Sequence, residues 1–299
     1  MPMIVDPTAP HITPPTVIAS PDGWLTATVD TAWAGVTLAV NYTTAPPLDR
    51  AADVRTVRVV RQDPGAAAPV PVRSADTAWA IEGIGPAYDH EAPLGVAVVY
   101  TAVPVYADGT LGPESALAVT VPAPAPGDDT DLWIKSVDQP SLSLRAMLVT
   151  APQPVAAGRL DTAAIAGSPY PAVAYDVHGA EAFDAVTIDV PPDQVDQVRD
   201  LLRSGVLLLQ TRPGYQVTRD TFHVPGDITG PVATGKLGAS GGFQFSWGVT
   251  PIERPDTAGQ PLRLPGWSYD TLAERYDTYD AVTATYASYQ ALATNGALA

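Results

Sequence analysis

Hydrophobic and polar residues alternate along several short runs in the first half of the chain. The alternating runs cover residues 25–29, 36–42, 57–59, 96–102 and 117–121. A period of two is typical of strands that bury one face, and short strands separated by turns are typical of a β-sandwich. The pair Asp108-Gly109, which is favoured in tight hairpins, separates the last two runs. We therefore expect an N-terminal β-sandwich over residues 23–122.

Proline-rich segments bound this region on both sides. Residues 1–22 contain Pro2, Pro7, Pro10, Pro14, Pro15 and Pro21. Because proline lacks a backbone donor and does not fit the interior of a helix or a central strand, we expect an extended N-terminal arm there. Residues 123–131 combine a Pro-Ala repeat with several aspartates. That composition predicts a stiff, solvated linker.

Residues 132–252 indicate a second, mostly β domain with one packed helix. Its clearest strand alternates Phe243, Phe245, Trp247 and Val249 on one face. The helix is expected over 192–204, since Pro192 and Asp193 suit a first turn and Gly205 suits a helix end. Apolar residues recur on one side of this helix, at Val195, Val198, Leu201 and Leu202.

The C-terminal extension, residues 253–299, contains a short pattern three times at ten-residue spacing. Each copy places a hydroxyl residue before an aromatic residue, and an aliphatic residue three positions after the aromatic one. The paired apolar residues are Tyr269 and Leu272, Tyr279 and Val282, and Tyr289 and Leu292. We expect this extended or short-helical strip to dock on another subunit. The alternative is that its three turns complete the core of the second domain.

The charge balance excludes several classes of partner. The chain has 299 residues, a net charge of −16 and only two lysines, Lys135 and Lys236, so we expect no nucleic-acid binding. The chain contains no cysteine, and no apolar run is long enough to predict membrane insertion. The N-terminus lacks the basic start and apolar run of a signal peptide, and we expect no secretion by that route.

Candidate catalytic and metal-binding motifs are weak. Ser240 lies in a G-x-S-x-G pattern, but no histidine follows it, and a flexible turn is the better interpretation. Asp176 and His178 share one side of an extended segment and His223 could approach them, but a metal site there is the minor alternative to ordinary polar histidines. We therefore expect no enzyme activity, no catalytic residue, no metal and no cofactor.

The N-terminal region resembles a fibronectin type III-like domain. The resemblance is carried by Tyr100-Thr101-Ala102-Val103-Pro104-Val105-Tyr106, then Asp108-Gly109-Thr110, then Ser115 before the last strand. The usual tryptophan of the second strand is missing, so a generic immunoglobulin-like sandwich is nearly as good an interpretation.

Residues 132–299 resemble the minor tail proteins of siphophages that infect actinobacteria. The features that carry the resemblance, in order, are Leu132-Trp133-Ile134-Lys135-Ser136, Gly167-Ser168-Pro169-Tyr170-Pro171, Leu201-Leu202-Arg203-Ser204-Gly205, Trp247 ahead of Arg254-Pro255, and the closing Tyr/Leu repeats. The resemblance implies a structural virion component at the distal end of the phage tail. It also implies a hexameric or trimeric ring that contacts itself and other tail proteins.

An alternative function is a module of the tail tip that binds glycans of the host cell envelope. Its aromatic platform would come from Trp24, Trp33 or Trp79. A glycan platform needs aromatic faces in water, whereas a core tryptophan does not. The exposure of these three side chains therefore separates the two functions.

Overall fold

The computed structural model describes residues 17–73, 75–125, 132–150, 154–214, 220–235, 241–255, 275–276 and 278–285, with no side-chain description at 183 and 184. Strands dominate the described residues, which confirms the expectation of a mainly β protein. No helix among them is long and apolar enough to cross a membrane.

Two antiparallel sheets form the N-terminal domain. The first has the order β1-β2-β3-β7, with β1 at Val17–Ala19, β2 at Leu25–Asp30, β3 at Gly35–Asn41 and β7 at Ile84–Asp89. The second has the order β5-β4-β8-β9, with β4 at Val54–Gln62, β5 at Val70–Pro71, β8 at Ala97–Tyr106, β9 at Ser115–Thr120 and β6, Ala78–Trp79, paired with β4. A 3-10 turn at Ala51–Asp53 precedes β4.

Both sheets contribute to one buried apolar cluster. Val36, Leu38 and Val40 project from β3, and Val57 and Val59 project from β4. The inward positions are the apolar ones of each alternating run, as the period of a strand requires. The last residues of the segment expected as an N-terminal arm, Val17–Ala19, are extended and pair with β2.

A closed ring of strands forms the second domain. Its members are β10 at Leu132–Ser136, β11 at Leu144–Thr150, β15 at Glu181–Val190, β16 at Leu207–Thr211, β17 at Thr221–Ala233 and β18 at Phe243–Pro251. The sheet runs β11-β10-β16-β17-β18-β15, and β11 also pairs with β15. That last pairing closes the ring, so we refer to this unit as the barrel. Register shifts interrupt the β17–β18 and β15–β18 ladders.

One helix covers the barrel core. A 3-10 turn at Pro192–Gln194 leads into α1, Val195–Leu202, within the range that the sequence predicts. Val198, Leu201 and Leu202 are buried in the same cluster as Phe245 and Trp247 of β18. Gly205, with φ of 105°, takes up the positive dihedral that often follows a helix end.

Three short strands and one short helix lie outside this core. Strand β12, Val155–Ala156, pairs with the start of β15, and β13, Leu160–Ala163, pairs with β14, Ala172–Tyr175. The C-terminal helix α2 covers Tyr279–Thr285. A 3-10 turn at Pro140–Leu142 precedes β11.

Candidate functional sites: an interdomain clasp and unpartnered apolar surfaces

Strand β10 is buried on both of its faces. Leu132 and Ile134 belong to the barrel core, whereas Trp133 belongs to the core of the N-terminal domain. Successive side chains of a strand point to opposite faces, so one five-residue strand serves both domains. Lys135 follows Trp133 on the side of the N-terminal domain, and its side chain is fully buried.

The amine of Lys135 fastens the barrel to the N-terminal domain. Its Nζ donates to the carbonyl of Ala34 at 2.8 Å and to the carbonyl of His90 at 2.7 Å. Burial penalises the ammonium and lowers the pKa of Lys135 to about 7, although the negative charges of Asp89, Asp220 and Glu91 act in the opposite direction.

Residues 89–92, which include the acceptor His90, are the centre of the group of interdomain contacts that we call the clasp. His90 donates from Nε2 to the carbonyl of Ser136 at 3.1 Å, because a carbonyl oxygen can only accept. Gln210 of β16 donates from Nε2 to the carbonyls of Glu91 and Ala92, at 3.3 and 3.1 Å. Hydrogen bonds therefore cross the domain boundary in both directions.

Asp89 is fully buried and ionised within the clasp. Its carboxylate accepts from Arg61 Nη1 at 2.7 Å and from the hydroxyl of Tyr100 at 2.9 Å. Burial alone would raise the pKa of Asp89, but the charge and hydrogen bond of Arg61, with the other donors, lower it to about 2. An ionised carboxylate is stable there because a guanidinium faces it.

Glu91 joins three parts of the chain. Arg73, which follows β5, donates from Nε to Oε1, and Arg254, which follows β18, donates from Nε to Oε2 at 2.7 Å. Arg254 also donates from Nη2 to the carbonyl of Pro71 at 2.9 Å. Because the side chain of Glu91 has no exposed surface, both guanidinium groups reach it inside the protein. The clasp thus also anchors the segment that leads toward the C-terminal strip.

A second buried histidine lies in the barrel. The indole of Trp247 donates to His223 Nε2 at 3.1 Å, and the two ring planes are nearly parallel with centroids 6.5 Å apart. An accepting nitrogen must carry a lone pair, so His223 is neutral in this arrangement. Burial lowers the pKa values of both His90 and His223 to about 4.

The alternative metal site would need His223 close to Asp176 and His178. His223 is buried against Trp247, whereas Asp176 and His178 are exposed in the segment that follows β14. In the described ranges, no group of three or more His, Cys, Asp or Glu side chains is arranged to hold a metal ion. Ser240 lies outside the described residues.

A long hairpin projects from the barrel without contributing to its core. Every residue from 154 to 178 is exposed, and we call this segment the ribbon. Strands β13 and β14 pair Leu160 with Tyr175 and Thr162 with Val173. Directly paired residues lie on the same face, so these four side chains form one largely apolar face of the ribbon. Leu160 is 65% exposed and Tyr175 is 86% exposed.

Strand β17 carries a second apolar surface. From Val224 to Ala233 it pairs with β18 on one side, while its described pairing with β16 covers only residues 221–223. Val224, Ile228 and Val232 are exposed along this stretch. Within the described strands, the other edge of β17 therefore has no partner over residues 224–233.

Two of the six residues expected as interaction anchors are described. Tyr279 opens α2 and is 78% exposed, and Val282 on the next turn is half-buried. Helix α2 buries none of its residues, so this copy of the repeat contributes nothing to the barrel core. Tyr269, Leu272, Tyr289 and Leu292 lie outside the described residues.

The three candidate glycan-platform tryptophans differ in exposure. Trp24 is half-buried, donates from Nε1 to the carbonyl of Pro46 and packs beside Tyr42. Trp33 is also half-buried. Trp79 of β6 is 78% exposed, and Ile81 beside it is exposed as well.

Sequence reasoning missed both the clasp and the ribbon as candidate sites. The one signal for the clasp was a lysine inside an otherwise apolar strand, at Lys135. The residues of β14, Ala172–Tyr175, are mostly apolar, but a short apolar run does not reveal that the strand lacks a core to cover.

The chain was also compared with known proteins. No protein-family model matches it, and neither does a curated protein or a solved structure.

Proposed function

We propose that this protein is a structural subunit of a bacteriophage tail, located at the tail tip, which assembles with copies of itself and with other tail proteins. The observation that carries the proposal is the ribbon. A two-stranded hairpin is at best marginally stable in water, yet this one presents an apolar face to solvent. Such a face is typical of an interaction site.

Burying the apolar side chains of the ribbon against a partner would release a substantial free energy. Leu160, Val173, Tyr175 and Val177 are each more than half exposed. Burying one large apolar side chain stabilises a complex by roughly 1.5–3 kcal/mol before the entropy of ordering is subtracted. Covering these four side chains therefore favours docking of the ribbon against a partner.

A second copy of the chain is the partner that these surfaces favour. The ribbon projects from the barrel, and the exposed side chains of β17 lie on the barrel itself. When one surface of a protein docks on a different surface of the next copy, the contact is heterologous, and repetition closes a ring if the rotation allows it. Rings of six or three subunits are what the resemblance to tail proteins implies.

The fibronectin type III-like assignment is part of the same proposal. It is supported by two antiparallel sheets that enclose one core, with non-consecutive neighbours such as β3–β7 and β4–β8. The hairpin at Asp108-Gly109 connects β8 and β9, and Gly109 has φ of 80°. The clasp would hold this domain in a defined direction relative to the barrel within a ring.

A matched set of variants tests self-assembly through the ribbon. Leu160→Ser combined with Tyr175→Ser removes apolar contacts from the proposed docking face. Asp161→Ser combined with Ala174→Ser changes the directly paired residues on the opposite face. We expect the first pair to shift the protein to monomer in analytical ultracentrifugation and the second pair to leave the oligomer unchanged.

A deletion provides an independent test. Gly179 donates to the carbonyl of Ala157, so a two-residue Asn-Gly turn can replace residues 158–178. The shortened protein should keep its circular dichroism spectrum and lose self-association. A wild-type chain that is monomeric at every concentration, or a deletion variant that still forms the oligomer, contradicts the proposal.

The exposure of Trp79 favours a second candidate function, binding of host-envelope glycans. Sugar rings stack on exposed aromatic faces, and the ring of Trp79 is available whereas that of Trp24 is packed. Trp79→Ala should abolish binding to host cell-wall polysaccharide in a pull-down assay, while Ile81→Ala should leave it intact. Equal binding by both variants and the wild type excludes Trp79 as the platform.

A further inference from the structure

We propose that Lys135 is a proton-binding site that couples the attachment of the two β domains to pH. Its neutral amine fastens the N-terminal domain to the barrel, and protonation loosens that attachment. This inference concerns the clasp alone and does not depend on the proposed function.

The hydrogen-bond geometry fits a neutral amine. A neutral amine has two N–H groups, and Lys135 Nζ makes two hydrogen bonds, to the carbonyls of Ala34 and His90. An ammonium has three N–H groups. The side chain of Lys135 has no exposed surface, so water does not accept a third hydrogen bond from Nζ. A buried N–H without an acceptor destabilises the state that contains it.

Carboxylates near the amine are already engaged. Asp89 binds Arg61 and Tyr100, and Glu91 binds Arg73 and Arg254. Among the described residues, the ion pairs within 4.0 Å do not include Lys135. The clasp therefore lacks a direct counter-ion for an added positive charge at Nζ.

Charged and aromatic groups on several elements influence the protonation of the Lys135 amine. These are Asp89, His90 and Glu91 at the end of β7, Arg61 on β4, Asp220 before β17, and the ring of Trp133, which lies 5.8 Å from Nζ. The negative charges and the aromatic ring favour the ammonium, whereas burial and Arg61 oppose it. Burial is the larger influence, and it lowers the pKa of Lys135 to about 7.

The direction of the pH dependence follows from this lowered pKa. An unfolded chain binds a proton at Lys135 up to the ordinary lysine pKa of about 10.4. Between about pH 7 and that value, the unfolded state holds one more proton than the folded state at this site. The free energy of unfolding of the clasped protein therefore rises with pH across this window. The equilibrium constant for unfolding falls about tenfold per pH unit. Below about pH 7 the site contributes no further change.

The chain is suited to a direct measurement, because it contains only two lysines. Protein labelled with carbon-13 and nitrogen-15 at lysine gives two side-chain signals, and Lys236→Arg assigns them. We expect the Lys135 signal to titrate near neutral pH in the native protein. A midpoint near the ordinary lysine value of about 10.4 overturns the proposal.

A variant gives a second readout on domain attachment. Lys135→Met keeps the aliphatic stem and removes the amine. In urea unfolding, the free energy of unfolding of the wild type should rise from about pH 7 to about pH 9.5. The range stops there because tyrosine has an ordinary pKa of about 10. The variant should lose this pH dependence. A slope that is equal in both proteins also overturns the proposal. The native titration of the wild type remains decisive where the variant does not fold.

Discussion

The carboxylate of Glu91 illustrates how single residues hold the two domains together. It is buried between the guanidinium groups of Arg73, in the N-terminal domain, and Arg254, which follows β18. Breaking a buried pair by removing one partner is costly, because the remaining charge stays uncompensated away from water. An exposed pair such as Arg50 with Asp53 is screened by solvent and contributes little.

Glu91→Gln should therefore destabilise the protein by about 3–5 kcal/mol, as measured by urea unfolding at neutral pH. The matched control, Asp53→Asn, removes one partner of an exposed pair that solvent screens, and it should leave the stability nearly unchanged. If the two variants lose the same small amount of stability, the clasp is not a stabilising contact.

The two buried histidines give the protein a defined acid response. Their folded-state pKa values are lowered to about 4, whereas an unfolded histidine titrates near 6.5. Between these values the unfolded state binds more protons, so the free energy of unfolding should fall as pH falls from about 6.5 to about 4. The expected slope is about 1.4 kcal/mol per pH unit for each histidine.

Urea unfolding across this pH range measures the acid response directly. His90→Gln retains a donor for the carbonyl of Ser136 and should remove part of the slope. His178→Gln changes an exposed histidine on the ribbon and should leave the slope unchanged. Acid stability that is flat in the wild type would show that neither histidine is held neutral. The lowered pKa of Asp89 acts in a separate window, below about pH 4.

At the scale of elements, some features of the strands and the helix can be predicted from local sequence signals and others cannot. Helix α1 was predictable because its start, its apolar stripe and its terminal glycine are all local signals. Strand β18 was predictable for the same reason, through its strict alternation of large apolar residues. The exposure of β14 was not predictable, because it depends on which strands lie beside it rather than on its own residues.

Strand β10 shows how an element takes on a role that its pattern does not define. All five of its residues are buried, and its two faces belong to different cores. A run that reads Leu-Trp-Ile-Lys-Ser indicates a strand, and the lysine suggests a solvated face. Lysine is almost never fully buried unless it is paired, and here two carbonyl oxygens from another domain take the place of water.

At the scale of the whole molecule, charge and exposed apolar surface oppose each other. The net charge of −16 makes copies repel one another, while the ribbon, β17 and α2 carry apolar side chains in water. Salt screens repulsion between exposed charges and leaves apolar contacts intact. Association between copies should therefore strengthen with ionic strength rather than weaken.

The proposed docking role of the C-terminal strip can be tested by deletion. Deleting residues 266–299 should leave both β domains folded, because Arg254 and the barrel strands precede the deletion and α2 buries no residue. Under the proposed function, the deletion should also abolish incorporation into the larger assembly, as measured by pull-down with other phage tail proteins. A deletion variant that unfolds would instead assign the strip to the core of the second domain.

The sequence alone determined the features that depend on neighbouring residues. Period-two alternation established a mainly β chain, and capping residues located the helix near residues 192–204. Only the tertiary structure decided which faces meet: the closure of the barrel through β11 and β15, the burial of Lys135 in the clasp, and the exposure of the ribbon. The reason is physical, since local periodicity records which residues avoid water, whereas the surface that covers them comes from residues distant in the chain.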